Sequence, residues 1–169
     1  MSRVTTQATT IRPFREGDRE PVRQLLERLP NFTAEEVATA LELADEFLAE
    51  GEASGYLPFV LEDEIDGGAA VRGYVCVGPT PLTDGTFDLY WVAVDTAAQG
   101  RGYGRALLAF AEDEVRRRGG RLLLIETSSQ ESYGATVRFY ERAGYALEAR
   151  VRNFYRPGDD KIIFAKSLR

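Results

Sequence analysis

Residues 99–105 have the composition of an anion-binding loop. Their sequence is Gln99-Gly100-Arg101-Gly102-Tyr103-Gly104-Arg105, with an apolar run before it and an amphipathic pattern after it. A glycine-rich turn of this kind presents consecutive backbone N–H groups at a helix N-terminus, where the helix dipole adds partial positive charge. The segment therefore predicts a site for a phosphate or a similar anion.

Two common nucleotide-binding motifs do not match this loop. A P-loop needs a lysine after its last glycine, whereas Arg105 follows Gly104, and a dinucleotide fingerprint needs a third glycine where this chain has Leu107. The pattern that does match is Gln-x-x-Gly-x-Gly, formed by Gln99, Gly102 and Gly104. It resembles the pyrophosphate loop of the GNAT superfamily of N-acetyltransferases.

The resemblance continues over the C-terminal half of the chain. A predicted strand ends at Val94, another is predicted at residues 121–127, and residues 138–145 resemble the family's Phe-Tyr-x-x-x-Gly-[Phe/Tyr] segment. Tyr133 and Thr136 depart from the Asn and Ala that the family often has there. The resemblance implies a mixed α/β (α+β) GNAT fold, with a six- to seven-stranded sheet flanked by about four helices, in a single domain over residues 1–169.

The same resemblance implies acetyl-CoA as the cosubstrate. Its pyrophosphate would be held by the backbone N–H groups of Gln99, Gly100, Arg101, Gly102, Tyr103, Gly104 and Arg105, with the Arg101 side chain as a charge-assisted partner. Backbone groups at Val92 and Val94 would meet the pantetheine arm and the thioester carbonyl, with the Val94 N–H as an oxyanion donor. The alternative is that the glycines only form a tight turn between strand and helix.

Acyl transfer needs a neutral amine and a protonated leaving thiolate, so an acid and a base are both useful. Tyr140 stands at the family's tyrosine position and is the expected acid, although it could simply pack on a buried helix face beside Phe139. Glu126 resembles the base of ribosomal-protein N-terminal acetyltransferases, and burial would raise its pKa. A structural hydrogen bond is its alternative role. Other candidates for the base are Tyr90, Asp88 and Tyr155.

The resemblance implies direct acetyl transfer from acetyl-CoA to a primary amine of a small molecule or a peptide. A non-catalytic acyl-CoA-binding module, a protein N-terminal acetyltransferase and a structural subunit that does not bind CoA are the alternatives. The run 151–155 resembles a segment of the N-terminal acetyltransferases. The loops expected around the acceptor, at residues 30–34, 78–85 and 128–133, contain no pattern that names it. Glu35, Glu36 and Asp88 could attract a cationic amine or be ordinary surface charges.

Composition excludes several function classes. The chain has 169 residues, 44% hydrophobic composition, a net charge of −6, no histidine and one cysteine. Without histidine there is no Ser-His-Asp triad, Cys-His pair or His-based zinc site, and we expect no metal. Cys76 is expected to be a small buried hydrophobe. An acidic chain without a basic face is not expected to bind nucleic acid. The absence of a signal-like or membrane-spanning run predicts a cytoplasmic protein, for which a homodimer is possible.

Hydrophobic periodicity and turn residues give the order of elements. Strands are predicted at residues 11–14, 56–61, 71–77, 86–94, 121–127, 145–155 and 162–168, and helices at 18–29, 33–50, 101–118 and 134–142. Asp18 is the expected N-cap of the first helix, and Thr33 with Glu36 forms a capping-box pattern before the second. Residues 1–10 are expected to be a loose tail. The strands at 86–94 and 121–127 should be parallel neighbours.

Overall fold

The computed structural model describes residues 8–65, 67–130 and 133–169. Within them the chain forms seven strands and four α-helices, in the order β1 Thr9–Pro13, α1 Arg19–Glu27, α2 Ala34–Glu50, β2 Leu57–Ile65, β3 Gly68–Pro79, β4 Thr86–Val94, α3 Tyr103–Arg117, β5 Leu122–Ser128, α4 Gly134–Arg142, β6 Ala146–Arg156 and β7 Asp159–Ser167. The strands form one mixed sheet in the order β1-β2-β3-β4-β5-β7-β6. The predicted fold class is thereby confirmed.

The chain divides into two compact units. The first consists of residues up to Val75 together with Trp91–Leu108, and the second of Cys76–Tyr90 together with Ala109–Arg169. The elements β3, β4 and α3 contribute residues to both units. No helix in the described ranges is long and apolar enough to cross a membrane.

In the first unit, α1 and α2 contact each other and α2 contacts β2. The apolar residues that predicted α1 at helical spacing, Val22, Leu25 and Leu26, are all buried. The helix α2 begins with the predicted capping box: the Glu36 N–H donates to the Thr33 hydroxyl at 3.2 Å, and the Thr33 N–H donates to the Glu36 carboxylate at 2.7 Å. These two bonds satisfy amide groups that a helix cannot pair by itself.

The predicted capping role of Asp18 is wrong. Asp18 precedes α1, but its side chain makes no cap hydrogen bond. Both carboxylate oxygens instead accept from the Arg12 guanidinium at 2.7 Å, and one also accepts from the Arg15 N–H at 2.8 Å. A guanidinium that forms two hydrogen bonds binds a carboxylate more strongly than a single backbone N–H does. Burial raises the pKa of Asp18, but the hydrogen bonds from Arg12 and the Arg15 N–H, together with the positive charges of both arginines, outweigh that effect, so the pKa is lowered overall.

In the second unit, β5 lies between β4, which is parallel to it, and β7, which is antiparallel to it. The parallel pairing of β4 and β5 is as predicted. Leu123, Ile125 and Thr127 are buried on one face of β5, whereas Leu122 and Leu124 on the other face are half-buried. Residues 122–125 of β5 are therefore covered fully on one face and in part on the other.

Three predicted boundaries differ because strand pairing extends past the apolar runs. Thr9 and Thr10, expected in the loose tail, pair with Asp63 and Glu62. Residues 62–65 and 68–70, which lie between the strands predicted at 56–61 and 71–77, belong to β2 and β3. The last strand begins at Asp159 instead of residue 162. Residues 1–7 of the predicted tail and residues 131–132 of the loop at 128–133 lie outside the described residues.

The capping box of α2 allows a stability prediction. We expect Thr33→Ala to lower the free energy of unfolding by about 1 kcal/mol, because the Glu36 N–H loses its acceptor. Thr39→Ala is the matched control in the same helix, since the Thr39 hydroxyl only donates to the Glu35 carbonyl within the helix. It should leave stability unchanged or raise it slightly. Urea unfolding of both variants measures the difference, and equal losses would contradict a capping role.

Candidate functional site

The loop after β4 begins with a capped turn. The Asp95 side chain accepts from the Ala97 N–H at 3.1 Å and caps a short 3₁₀ turn over Thr96–Ala98. The Asp95 N–H donates to the Arg72 carbonyl at 2.8 Å. Gln99 then returns to an extended conformation. The path of the chain into the glycine-rich segment is therefore defined by hydrogen bonds at its start.

Two glycines of the loop have backbone angles that other residues rarely adopt. Gly100 has φ 78° and Gly102 has φ 79°, in the left-handed region that favours glycine. A Cβ built at either position would meet no heavy atom within 4 Å. Gly104 differs, because it lies inside α3 and is not among the positive-φ residues. The first two glycines shape the loop, and open space lies in front of them.

The helix α3 begins directly after this turn. Its first intrahelical hydrogen bond runs from the Ala106 N–H to the Gly102 carbonyl at 3.0 Å. The N–H groups of Tyr103, Gly104 and Arg105 precede that bond and have no acceptor within the helix. The helix dipole adds partial positive charge at the same place. The open space, the free amides and the dipole together fit a pyrophosphate group.

The Tyr103 side chain points into the first unit. Its hydroxyl donates to the buried Asp63 carboxylate at 2.7 Å and also hydrogen-bonds the Arg101 side chain. Burial and the Asp63 carboxylate raise the pKa of Tyr103, so the phenol keeps its proton. Tyr103 can therefore offer a ligand only its backbone N–H. The predicted contact between the Arg101 side chain and a phosphate stays a prediction.

Near its end, β4 is half-buried except at Ala93. Ala93 is buried, whereas Val92 and Val94 on either side of it are half-buried. The Trp91 ring packs against Phe32, with ring centroids 5.5 Å apart. That contact agrees with a packing role for Trp91. The proposed use of backbone groups at Val92 and Val94 stays a prediction.

Tyr140 lies in the core of the second unit. Its side chain is 4% exposed and contacts the rings of Phe139, Tyr145 and Phe164, with centroid distances of 5.4, 5.9 and 6.2 Å. Burial raises the pKa of the Tyr140 phenol well above its usual value. Tyr140 therefore packs within an aromatic cluster and keeps its phenol protonated near neutral pH, and its role as the acid stays a prediction.

Glu126 does not have the environment that the sequence suggested. Its side chain is 48% exposed and its carboxylate forms an ion pair with Lys161 at 2.7 Å. The expected burial among Leu124, Ile125 and Thr127 is wrong, because Glu126 lies on the half-buried face of β5, opposite to Ile125 and Thr127. The Lys161 ammonium in turn lies 4.3 Å from the Phe154 ring centroid.

The other candidates for the base occupy varied environments. Asp88 accepts a hydrogen bond from the Thr80 hydroxyl at 2.7 Å. Tyr155 is exposed and packs edge-to-face on Phe154, and Tyr90 is half-buried. No group of three or more His, Cys, Asp or Glu residues that could hold a metal ion exists in the described part of the chain.

Sequence reasoning missed a set of charged side chains in the first unit. Asp63 and Arg72 are paired at 3.1 Å, and Arg28 donates to Asp95 at 2.8 Å. A cavity of about 490 Å³ is lined by Arg28, Arg72 and Asp95, among others, and not by residues 99–105. A charged residue inside an apolar strand, as Arg72 is in β3, was the available signal, but its partners could not be identified from the sequence.

Comparison with known proteins identifies the family. The family model of the acetyltransferase (GNAT) domain matches residues 54–147. A crystal structure from Desulfovibrio desulfuricans, assigned to the GNAT acetyltransferase family, has 47% identity and a TM-score of 0.90, covering 96% of this chain and 100% of that chain. The ribosomal-protein-S18-alanine N-acetyltransferase of Escherichia coli has 26% identity and a TM-score of 0.73, covering 95% and 94%.

A shorter match exists to a curated relative. Mycothiol acetyltransferase of Cellulomonas flavigena is 40% identical over 62 residues, which is 37% of this chain and 17% of that relative. This relative and the two structural neighbours above are described as acetyltransferases. The chain belongs to the GNAT family of acetyltransferases, which use acetyl-CoA as the acetyl donor.

Proposed function

We propose that this chain transfers an acetyl group from acetyl-CoA directly to a primary amine of a small molecule or a peptide. The observation that carries the proposal is the loop at residues 99–105, where Gly100 and Gly102 open a space in front of unpaired amides at the start of α3. In this proposal those amides bind the pyrophosphate of CoA. Family membership supports the reaction class. The individual steps are proposed from the residues of this chain.

The reaction forms a C–N bond and breaks a C–S bond. The neutral amine attacks the thioester carbonyl, the nitrogen then loses a proton, and the sulfur leaves as a thiolate that must be stabilised or protonated. An alkylammonium has a pKa of about 10.4 and a thiol one of about 8.5, so both proton movements need help near neutral pH. In this proposal the Val94 N–H stabilises the carbonyl oxygen as negative charge develops there.

Tyr140 is the group proposed to act on the leaving sulfur. A phenol of pKa about 10 is a weaker acid than a thiol of pKa about 8.5, so complete proton transfer is unfavourable by about 2 kcal/mol before burial is considered. Burial raises the pKa of Tyr140 further. The buried phenol therefore acts mainly as a hydrogen-bond donor, whose bond strengthens as negative charge develops on sulfur.

Glu126 is the proposed base. Its half-exposed carboxylate can reach solvent, and the Lys161 ion pair at 2.7 Å holds it in one orientation. We propose that it accepts the amine proton, directly or through a water molecule, as the C–N bond forms. The mechanism does not require the burial that the sequence suggested, because the nitrogen becomes strongly acidic once it has attacked the carbonyl.

A protein N-terminus is a second candidate acceptor. The relation to the S18-alanine N-acetyltransferase, at 26% identity over nearly the whole of both chains, favours it over other peptide acceptors. Peptides that begin with alanine, the same peptides with a blocked N-terminus, and a panel of small amines would separate the two acceptor classes. CoA release can be followed with a thiol reagent, since Cys76 is the single cysteine and is buried.

The remaining sequence predictions stay proposals. They are a single domain over residues 1–169, a cytoplasmic location, and a possible homodimer that binds neither nucleic acid nor membranes. Binding of CoA without CoA release on the whole acceptor panel would favour the non-catalytic module instead. No binding of CoA would favour a structural subunit.

The first functional prediction concerns the loop. We expect Gly102→Asn to weaken CoA and acetyl-CoA binding at least tenfold by calorimetry, because the new side chain enters the space proposed for the pyrophosphate. Gly119→Asn is the matched control, since Gly119 has the same φ of 79° and the same open surroundings at the other end of α3. Asparagine tolerates left-handed angles better than other residues. Similar affinity loss in both variants would argue against the loop as the binding site.

The second prediction concerns Tyr140. Tyr140→Phe should lower kcat by about 10²-fold and leave acetyl-CoA affinity unchanged, because only the hydroxyl is lost. Tyr145→Phe is the control from the same aromatic cluster, where the hydroxyl donates to Glu112 at 3.0 Å. It should lower stability and keep kcat within about twofold of the wild type. Full activity of Tyr140→Phe would assign that residue to packing alone.

The third prediction concerns Glu126. Glu126→Gln should lower kcat/KM for the amine by about 10²-fold near neutral pH, and the loss should shrink at alkaline pH, where hydroxide can accept the proton of the attacking nitrogen in place of the carboxylate. Glu148→Gln, which removes an exposed glutamate of β6, is the matched control and should have no effect. Initial rates across pH measure both. A loss that is constant across pH would point to a structural role for the Lys161 pair.

A further inference from the structure

Buried side chains of the first unit hold both ends of the segment 95–103. At its start, the Asp95 carboxylate is 3% exposed and accepts from the Ala97 N–H and from Arg28. At its end, the hydroxyl of Tyr103 donates to Asp63, whose side chain is fully buried. The two anchoring carboxylates lie on different elements, and neither belongs to the glycine-rich loop itself.

One arginine of β3 connects the two anchors. The Arg72 Nε donates to Asp63 at 3.1 Å, and a terminal nitrogen of the same guanidinium lies 3.8 Å from the Asp95 carboxylate. The Arg72 backbone carbonyl also accepts from the Asp95 N–H at 2.8 Å. The start and the end of the loop are therefore tied to the same residue.

We propose that Arg72, acting through Asp63 and Asp95, is a positioning residue that fixes the loop amides in the geometry that binds the pyrophosphate of acetyl-CoA. This inference rests on the proposed function. Arg72 itself does not contact the cofactor in this account; it acts through the Tyr103 hydroxyl at one end of the loop and the Asp95 cap at the other.

Without anchors at its ends, the loop would have wide conformational freedom. Gly100 and Gly102 permit a wide range of backbone angles, and no atom lies within 4 Å of the Cβ position of either. Packing therefore does little to restrain them. Amides that must be ordered when the ligand binds reduce the affinity, whereas amides already fixed do not. The anchors at both ends perform that ordering in advance.

The chemistry of the anchors supports positioning over simple stabilisation. A buried ion pair is often no more stabilising than apolar side chains of similar volume, but its hydrogen bonds define directions that apolar contacts do not. Arg72 engages two carboxylates with two different nitrogen atoms. The single ammonium of a lysine cannot do this in the same geometry. An arginine at this position is thus suited to setting the distance between two parts of the backbone.

Tyr103→Phe tests the proposal with a minimal change. It removes one hydroxyl and should raise Kd and KM for acetyl-CoA about tenfold, while kcat and the KM for the amine change less than twofold. Amide hydrogen exchange of residues 99–105 should accelerate. Arg72→Lys keeps the charge and should change the same quantities in the same direction, and to a greater extent.

Tyr74→Phe is the matched control. Tyr74 is also a buried tyrosine of the first unit, and its hydroxyl donates to the Ala40 carbonyl at 3.4 Å, in α2. It should lower thermal stability and leave acetyl-CoA affinity and loop exchange unchanged. If Tyr103→Phe behaves as Tyr74→Phe does, the positioning role is overturned and the proposed function stands. If the wild-type chain does not bind acetyl-CoA, the proposed function is overturned and this inference with it.

Discussion

An α-helix cannot pair the amide N–H groups of its first turn, and the segment before α3 keeps those groups available. Left-handed angles at Gly100 and Gly102 turn the chain so that the helix starts beside open space. This constraint explains how a chain of net charge −6 can be suited to an anion. The attraction comes from local dipoles of the backbone, which act over a few ångströms, and does not require a basic surface.

The two proposed catalytic side chains differ in their environment in a way that matches their tasks. Tyr140 lies among aromatic rings, so its phenol keeps the proton that it would offer to a developing thiolate. Glu126 has its carboxylate half in solvent and paired with Lys161, where it can accept a proton and pass it to water. The neighbouring Tyr145 shows the contrasting structural case, because its hydroxyl is bonded to Glu112 and that carboxylate is also paired with Lys166.

Local sequence patterns were sufficient to predict most helices and strands of the fold. The bounds of β4 and α4 agree with the sequence prediction, and the capping box formed by Thr33 and Glu36 is present. These features depend on residues a few positions apart, whose interactions the spacing determines. Strand ends were less predictable, because they depend on a partner. Thr9 is a strand residue through its pairing with Asp63, more than fifty positions away, and no local pattern contains that information.

The same division applies to the candidate site. A ligand loop that binds through its backbone needs glycines at characteristic spacing, so the sequence alone predicts residues 99–105 as such a loop. A site built from side chains of separate elements has no such local sequence pattern. Asp63, Arg72 and Asp95 lie on two strands and a loop, and each alone would be taken for a surface charge. Only folding brings Arg72 within 4 Å of both carboxylates. The proposed role of its guanidinium in positioning the loop is therefore visible only in the structure.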